Sequence, residues 1–430
     1  MHQTSRVSAR AWWAMAVFVL AAIISYSDRQ VLGLLVDPIR AELSLRDTDL
    51  GLLQGVAFAM VYALASLPLG WASDRTSRRN LVIVGVVIWS LATIACGYAR
   101  SFNELFLARM FIGIGEASLA PAVISMIADL FPLERRGLAI GLFNMGMIIG
   151  GGGAFIVGGG LLSIAATGGF ESWPFLQALT PWRVALVVMG FSGILLIILL
   201  WTVSEPARRG AVSGAGQSLR GMYYSVRSRR STLLPLYAAI ASVSVMEFGM
   251  MMWMPTLLTR RFNFGLSEAG GTLGTIVITA AILGTLIGGL LSVWIIKRWS
   301  VQGLLKAAAM AVGFGTLTMA VGFANSGTLA LALFFLWQFS ATCSSLIGIT
   351  TLQNILPNEL RGFGISIAAF LNIIIGLGIG SLLPPLIVES IYKDPTSIGL
   401  ALSTVGIPIT ILAAWLYRRC ASRVDVSMVN

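Results

Sequence analysis

Four charged residues interrupt stretches that are otherwise apolar and long enough to cross a bilayer. Asp28 and Arg29 lie in the first of these stretches, and Arg109 and Glu116 lie in the fourth. A charged side chain at membrane depth is costly, and it is found chiefly where it faces a polar interior path and helps to move a solute or an ion. The pattern predicts a transporter rather than a receptor or scaffold that crosses the membrane.

The spacing of these charges suggests separate roles for them. Arg109 and Glu116 are seven residues apart, so two helical turns place them on one face, whereas the neighbours Asp28 and Arg29 point about 100° apart. A guanidinium can bind a phosphate or carboxylate through two parallel hydrogen bonds, and we expect Arg29 to anchor an anion. The only histidine is His2, so proton coupling would fall to Asp28 and Glu116. The alternative is a static ion pair that ties two spans together.

Composition supports a membrane location for the whole chain. Of 430 residues 57% are hydrophobic and 11% are charged, with a mean hydropathy of +0.86, whereas a soluble domain carries about 25% charged residues. The net charge of +11 comes from basic residues between apolar segments, which indicates anionic lipids, not nucleic acid, as the partner. The three cysteines are far apart in sequence and suggest neither a disulfide framework nor a metal site.

The hydropathy pattern predicts an all-α protein with twelve transmembrane helices. One long polar segment, 204–231, separates a first six-helix bundle (1–203) from a second (232–430), and six of its residues are arginines. The predicted spans are 11–36, 49–72, 80–99, 104–128, 137–164, 182–203, 232–256, 267–296, 302–324, 327–353, 362–388 and 398–417.

The two bundles share a short motif, which indicates an internal duplication. Residues 131–137 (FPLERRG) follow the fourth span, and residues 356–362 (LPNELRG) follow the tenth span, 225 positions later. Duplicated six-helix halves related by a pseudo-two-fold axis are how large transporter folds place a site at the repeat interface. Small residues repeat every four positions in the second, fifth, eighth and eleventh spans, which predicts close helix packing there.

The distribution of basic residues predicts the topology. Loops on the side of both termini and the central segment hold 20 of the 29 lysines and arginines, and the opposite loops hold 7. The positive-inside rule therefore places both termini in the cytoplasm. Short loops are typical of a bacterial cytoplasmic membrane protein, with a monomer as the default.

Two segments carry a resemblance to a known family. Residues 70–79 (GWASDRTSRR) closely resemble the helix 2–3 loop signature of the major facilitator superfamily, with Ser77 in place of its usual glycine. Residues 109–117 (RMFIGIGEA) resemble its helix 4 signature, and the pairs Trp182-Arg183 and Glu205-Pro206 also match its pattern. The resemblance implies the major facilitator fold.

Within that superfamily, residues 26–29 (YSDR) together with 113–117 (GIGEA) are similar to the Spinster family. This resemblance implies transport of lysophospholipids or sphingosine phosphate, in several members coupled to protons. Aspartate followed by arginine in helix 1 also occurs in organic-anion symporters of the superfamily. The second half resembles the family less, because its helix 8–9 loop lacks the aspartate that Asp74 supplies in the first.

These observations together define a predicted site. Asp28 and Glu116 are the predicted proton-coupling residues. Glu247 lies in the seventh span among methionines that could form an adaptable wall for a lipid tail or simply face the bilayer. The predicted substrate-binding residues are Tyr26, Arg29, Arg109 and Glu247. The predicted cytoplasmic gate, whose alternative is a plain topogenic loop, comprises Asp74, Arg75, Arg78, Arg79, Glu134 and Arg136.

We predict a secondary transporter, not an enzyme, that moves an amphiphilic anionic lipid by alternating access, without a cofactor and with a proton gradient as its driving force. The alternative is a proton-coupled carrier of small organic anions. Few polar residues (Gln338, Thr342, Ser344 and Ser345) are available in the tenth span, which favours the lipid. ATP-driven transport is excluded because Lys297, Lys306 and Lys393 follow Ile, Leu and Tyr, and a Walker A lysine follows glycine.

Overall fold

A computed structural model describes residues 7–208 and 229–424, without the side chains of residues 358 and 359. Within these ranges the chain forms helices joined by turns, with no strand. Helices suit a bilayer because they satisfy their backbone hydrogen bonds internally. The helical segments are α1 (Ala9–Gly33), α2 (Asp47–Arg75), α3 (Arg78–Tyr98), α4 (Phe102–Leu130), α5 (Leu133–Ala166), α6 (Pro181–Thr202), α7 (Arg230–Phe262), α8 and α9 (together Leu266–Phe323), α10 (Gly327–Ile355), α11 (Leu360–Tyr392) and α12 (Pro395–Ala421).

The segment Leu266–Phe323 contains two membrane spans. Its 58 residues would extend about 87 Å as one helix, whereas the hydrocarbon core of a bilayer is about 30 Å thick. The helical geometry breaks at Trp299 and Ser300, where Ser300 has φ 61° and ψ −171°. We therefore divide the segment into α8 (266–298) and α9 (301–323). The described residues thus contain the twelve predicted spans, and the predicted all-α fold is confirmed.

Several helices depart from regular α geometry inside continuous apolar runs. The α-helical part of α1 ends at Gln30 and continues as a 3₁₀ turn, and a separate short helix, Val36–Leu43, follows. A π-helical turn, Leu52–Val56, lies within α2. The regular helix of α4 stops at Glu116 and resumes at Leu119. The sequence predicted none of these breaks, because hydropathy reports burial and not the register of backbone hydrogen bonds.

The described chain divides into two compact units. The first contains residues 7–208 and 264–278, so it holds α1 to α6 and the beginning of α8. In it α1 packs along α5, α3 along α6 and α2 along α4. A Cβ atom on Gly152 of α5 would lie 2.5 Å from the Gly274 carbonyl oxygen of α8, so glycine permits this close crossing. The second unit contains residues 229–263 and 279–424, where α7 packs against α10, α11 and α12.

The repeated motif forms the same local structure in each unit. Arg136 Nε donates a hydrogen bond to the Phe131 carbonyl oxygen at 3.1 Å after α4, and Arg361 Nε donates one to the Leu356 carbonyl oxygen at 3.2 Å after α10. In both places an arginine caps the C-terminal end of the preceding helix. The shared hydrogen bond supports the internal duplication seen in the sequence.

Candidate functional site

Arg29 of α1 and Glu116 of α4 form a buried ion pair. Arg29 Nη2 lies 2.6 Å from Glu116 Oε2, and the two side chains are 6% and 0% exposed. The structure thus brings together the predicted anion anchor and one of the two predicted proton-coupling carboxylates. Removing two charges from water is costly, so such a pair is stable only with close geometry and further favourable contacts.

Aromatic rings supply those further contacts around Arg29. The guanidinium carbon lies 4.4 Å from the ring centroid of Phe58, 4.9 Å from that of Tyr26 and 5.2 Å from that of Tyr62. Each ring is close enough for a cation–π interaction. Tyr26 was predicted, whereas Phe58 and Tyr62 of α2 were missed. The two rings are stacked with centroids 5.3 Å apart. The only feature of the sequence that could have pointed to them is their spacing of four residues, which places them on one face of α2.

Arg109 is buried, and its guanidinium donates hydrogen bonds to backbone carbonyl groups. It donates hydrogen bonds to the carbonyl oxygens of Leu53 at 3.2 Å, Asp28 at 3.3 Å, Arg29 at 3.4 Å and Gln54 at 3.5 Å. These acceptors lie where α1 leaves regular α geometry and where α2 makes its π turn. Arg109 therefore fixes the backbone that carries the ion pair, and its predicted contact with substrate stays a prediction.

Asp28 is buried without a hydrogen-bonding partner for its carboxyl group. The residue is 2% exposed, and neither oxygen accepts a hydrogen bond from any described residue. The side-chain amides of Gln30 and Gln54 are buried and unpartnered as well. An ionised carboxylate at this depth needs a counter-charge or a donor. Asp28 is accordingly a candidate for proton uptake, as the sequence predicted.

Two glycines let α4 pack closely against α2 and α3 near Glu116. A Cβ atom on Gly113 would lie 2.9 Å from the Phe58 carbonyl oxygen of α2, and one on Gly115 would lie 2.6 Å from the Gly85 carbonyl oxygen of α3. Larger residues at these positions would push α4 away from both neighbours. The glycines of the predicted helix 4 signature thus set the helix separation on which the ion pair depends.

Arg78, one of the predicted gate residues, is buried among acidic groups of the first unit. It is 1% exposed and lies 2.5 Å from Asp129 Oδ2 and 2.9 Å from Glu205 Oε1. The amide of Arg79 donates to Glu205 Oε2 at 2.8 Å. Partial burial raises the pKa of Glu205, but hydrogen bonds from Arg79, Arg78 and Ser77 outweigh it and hold the pKa below its usual range. The cluster joins the ends of α3, α4 and α6.

Four of the predicted gate residues, Asp74, Arg75, Glu134 and Arg136, form none of the ion pairs of this cluster. Asp74, Arg75 and Glu134 are exposed, and the Arg75 guanidinium lies 4.1 Å from the Trp71 ring centroid on its own helix. Arg208, at the start of the polar segment 204–231 (the predicted linker), donates hydrogen bonds to the carbonyl oxygens at 73, 74 and 76. The first residues of the predicted linker therefore pack on the α2–α3 turn, whereas residues 209–228 lie outside the described ranges.

Glu247 of α7 is half-buried in the second unit, within hydrogen-bonding reach of the Gln338 side chain of α10. The methionines around it are buried, with exposed fractions between 0% and 6%, so the interpretation that they face the bilayer is wrong. These residues are Met246, Met250, Met251 and Met252.

Comparison with known proteins identifies the family. The sequence profile of the Major Facilitator Superfamily matches residues 18–381, most of the chain. The chain belongs to this superfamily. It is therefore a multi-pass integral membrane transporter and not an enzyme.

Individual relatives and solved structures show which members of the superfamily the chain is similar to. Protein spinster of Drosophila melanogaster is 25% identical over 419 residues, which cover 92% of this chain and 66% of that protein. The probable L-galactonate transporter of Escherichia coli is 27% identical over 313 residues, 69% of this chain and 65% of that protein. The crystal structure of a bacterial homologue of the human lysosomal transporter Spinster superposes with a TM-score of 0.84 at 24% identity, covering 98% and 99% of the two chains. The predicted resemblance to Spinster proteins is confirmed.

Proposed function

We propose that this transporter couples the movement of an organic anion to protons by alternating access, and that the Arg29–Glu116 pair is the coupling element. The observation that carries the proposal is the 2.6 Å contact between the two buried side chains. A guanidinium stays charged at every physiological pH, whereas a carboxyl group can accept a proton. Protonation of Glu116 would therefore free Arg29 without changing the charge of Arg29.

The freed guanidinium is the binding site for the substrate anion. The Glu116 carboxylate and the substrate anion compete for the same nitrogen atoms, so the anion binds best once Glu116 is neutral. Proton binding and anion binding then favour each other, and by linkage the effect is reciprocal. Two ligands that bind cooperatively to one carrier cross the membrane together, which makes the proposed mode symport.

Other buried groups complete the proposed mechanism. Asp28 is a second proton acceptor next to the ion pair, and Arg109 holds its backbone carbonyl and that of Arg29 in place. Glu247 is a further proton or substrate contact on α7. The residues of the α2–α3 turn, with Glu134 and Arg136, act as the proposed gate.

The favoured substrate is an amphiphilic anion such as a lysophospholipid or sphingosine phosphate. Three aromatic rings surround the proposed anchor in the first unit and suit an anionic head that carries an apolar chain. In the second unit, the methionines of α7 are the proposed adaptable wall for a lipid tail. The resemblance of residues 26–29 and 113–117 to the Spinster family implies the same substrate class.

A second candidate substrate is a sugar acid. The similarity to the probable L-galactonate transporter favours it. The buried side-chain amides of Gln30 and Gln54, unpartnered among the described residues, would also bind hydroxyl groups. Both candidates use the same anion chemistry at Arg29, so they differ in the body of the substrate and not in the proposed coupling.

Transport into proteoliposomes tests the proposal and separates the two substrates. Uptake of radiolabelled lysophospholipid and of radiolabelled galactonate is measured with and without an inward proton gradient. We expect gradient-driven uptake of the lysophospholipid, its loss in Arg29→Gln, and its retention in the control Arg298→Gln, which removes an exposed arginine. Gradient-driven uptake of galactonate instead would select the second candidate. Uptake of either substrate that ignores the gradient would refute proton coupling.

We also propose a bacterial cytoplasmic membrane location with both termini inside, because 20 basic residues lie on that side and 7 on the other. The proposed organisation is a six-helix bundle over 1–203, a basic linker over 204–231 and a second bundle over 232–430, in a monomer. Fluorescent and alkaline phosphatase fusions at the C-terminus test the topology, because only one of the two reporters works on each side.

A further inference from the structure

The second unit has a surface groove between the first turns of α7 and the last turns of α12. Its volume is about 450 Å³, and it lies outside the site described above. We call it the basic groove. Its walls include Arg230, Leu234, Ala238, Leu416, Arg419 and Arg423.

Charged and apolar residues are separated along the groove. On α7, Arg230 comes first and Leu234 and Ala238 follow one and two turns later, so the wall becomes apolar over about 12 Å. On α12 the order is reversed, with Leu416 before Arg419, and Arg423 follows just after the helix ends at Ala421. Because both helices contribute arginine at the outer end and apolar residues at the inner end, the groove has a cationic mouth and a hydrophobic interior.

Among the described residues, the arginines at this mouth have no acidic partner. Arg230, Arg419 and Arg423 form no ion pair with any described residue, and all three are exposed. The Arg419 guanidinium lies 4.9 Å from the ring centroid of Trp415, which is 49% exposed. An exposed tryptophan beside an arginine at the end of a spanning helix is typical of the level of the lipid head groups.

We propose that the basic groove binds an anionic phospholipid of the surrounding leaflet. Its phosphate lies among the three arginines, and one acyl chain lies along the apolar interior. Basic pockets between transmembrane helices bind anionic head groups at this level of the membrane. The lipid is a component of the bilayer and not the transported substrate, so this proposal does not depend on the proposed function.

Native mass spectrometry of the full-length protein tests the site. The protein is titrated with phosphatidylglycerol or with phosphatidylcholine of the same chain length. Attraction of about fivefold per basic residue predicts, for three arginines, a preference for phosphatidylglycerol of ~100-fold for the first bound lipid. The triple variant Arg230→Gln, Arg419→Gln and Arg423→Gln should reduce that preference to about threefold or less.

A matched control separates the groove from general charge attraction. The variant Arg135→Gln, Lys297→Gln and Arg298→Gln removes the same charge from exposed positions elsewhere, and it should keep the preference. An equal loss in both triple variants, or equal binding of the two lipids to the wild-type protein, would overturn the proposal.

A third variant tests the acyl-chain half of the site without changing charge. Ala238→Phe fills the apolar interior, and it should weaken phosphatidylglycerol binding at least fivefold while the three arginines remain. Inorganic phosphate at millimolar concentration should not displace the lipid. If phosphate displaces it and Ala238→Phe has no effect, the groove is a site for free phosphate and the lipid proposal is wrong.

Discussion

The substitution Glu116→Gln separates the coupling pair from a merely structural ion pair. Under the proposed coupling, each anion that binds to the wild-type protein requires one proton on Glu116, because the carboxylate otherwise occupies Arg29 at 2.6 Å. Linkage then makes the Kd for the anion rise tenfold per pH unit wherever Glu116 is ionised in the free protein. Each such step is about 1.4 kcal/mol. Two pH units would weaken binding on the order of 100-fold.

In Glu116→Gln the amide cannot ionise, so Arg29 is available to the anion at every pH. We expect the Kd of the variant to change less than about twofold over the same two pH units. The loss of the counter-ion also destabilises the fold, since removing one partner of a buried pair costs about 3–5 kcal/mol. The three aromatic rings near Arg29 and the new amide should reduce that loss to roughly 2–4 kcal/mol.

Equilibrium binding in detergent at several pH values measures the slope, and thermal unfolding of the same samples measures the stability. The control is Glu268→Gln, which removes an exposed carboxylate at the start of α8 and should keep both the slope and the midpoint. A tenfold slope that survives in Glu116→Gln would refute the reasoning, because the coupling proton would then lie on another group. A lower midpoint with an unchanged slope would assign the pair a structural role alone.

Three further outcomes follow from single contacts. Arg78→Ala should lower stability by about 3–5 kcal/mol in thermal unfolding, because it strands two acidic partners, whereas the exposed control Arg75→Ala should change it by less than about 0.5 kcal/mol. The depressed pKa of Glu205 stabilises the fold above about pH 4.3, the usual pKa of a glutamate, and that stability is lost as the pH falls through the lower pKa of Glu205 in the folded protein. Glu205→Gln should therefore make the unfolding midpoint depend less on pH between about pH 3 and 6, and an unchanged pH dependence would contradict this. Glu247→Gln should reduce the maximal rate of uptake but keep the tenfold binding slope, and loss of the slope would move the coupling proton to Glu247.

The sequence was sufficient to predict the twelve spans and the residues of the ion pair. Hydropathy finds apolar segments of the right length, and the cost of burying charge singles out Asp28, Arg29, Arg109 and Glu116. The sequence placed Arg109 among the substrate contacts and did not predict that it binds backbone carbonyl groups. Arg109 and Glu116 share a helix face, yet one binds backbone carbonyls and the other binds Arg29. That difference arises from the irregular ends of α1 and α2, which occur inside unbroken apolar runs.

The contacts of the predicted gate residues could not be predicted from the sequence either. The motif 70–79 contains several charged residues of similar type, and nothing in its spacing says which of them is buried. Arg78 is buried because Asp129 and Glu205 reach it from the ends of α4 and α6, 51 and 127 residues away. Asp74 contributes its backbone carbonyl to Arg208 instead. Partners so distant in sequence are fixed by helix packing and not by local pattern.

The two repeats have kept the same helix cap while diverging in buried charge. Arg136 and Arg361 make equivalent hydrogen bonds in the two units, yet the buried ion pair and the carbonyl-bound arginine lie in the first unit. On α7 the second unit has the half-buried Glu247 and buried methionines instead. Each buried charge reduces the stability of the fold. Having the buried ion pair in one repeat and not in both limits this loss of stability. Under the proposed function, the first unit therefore carries the pair that binds the proton and the anion.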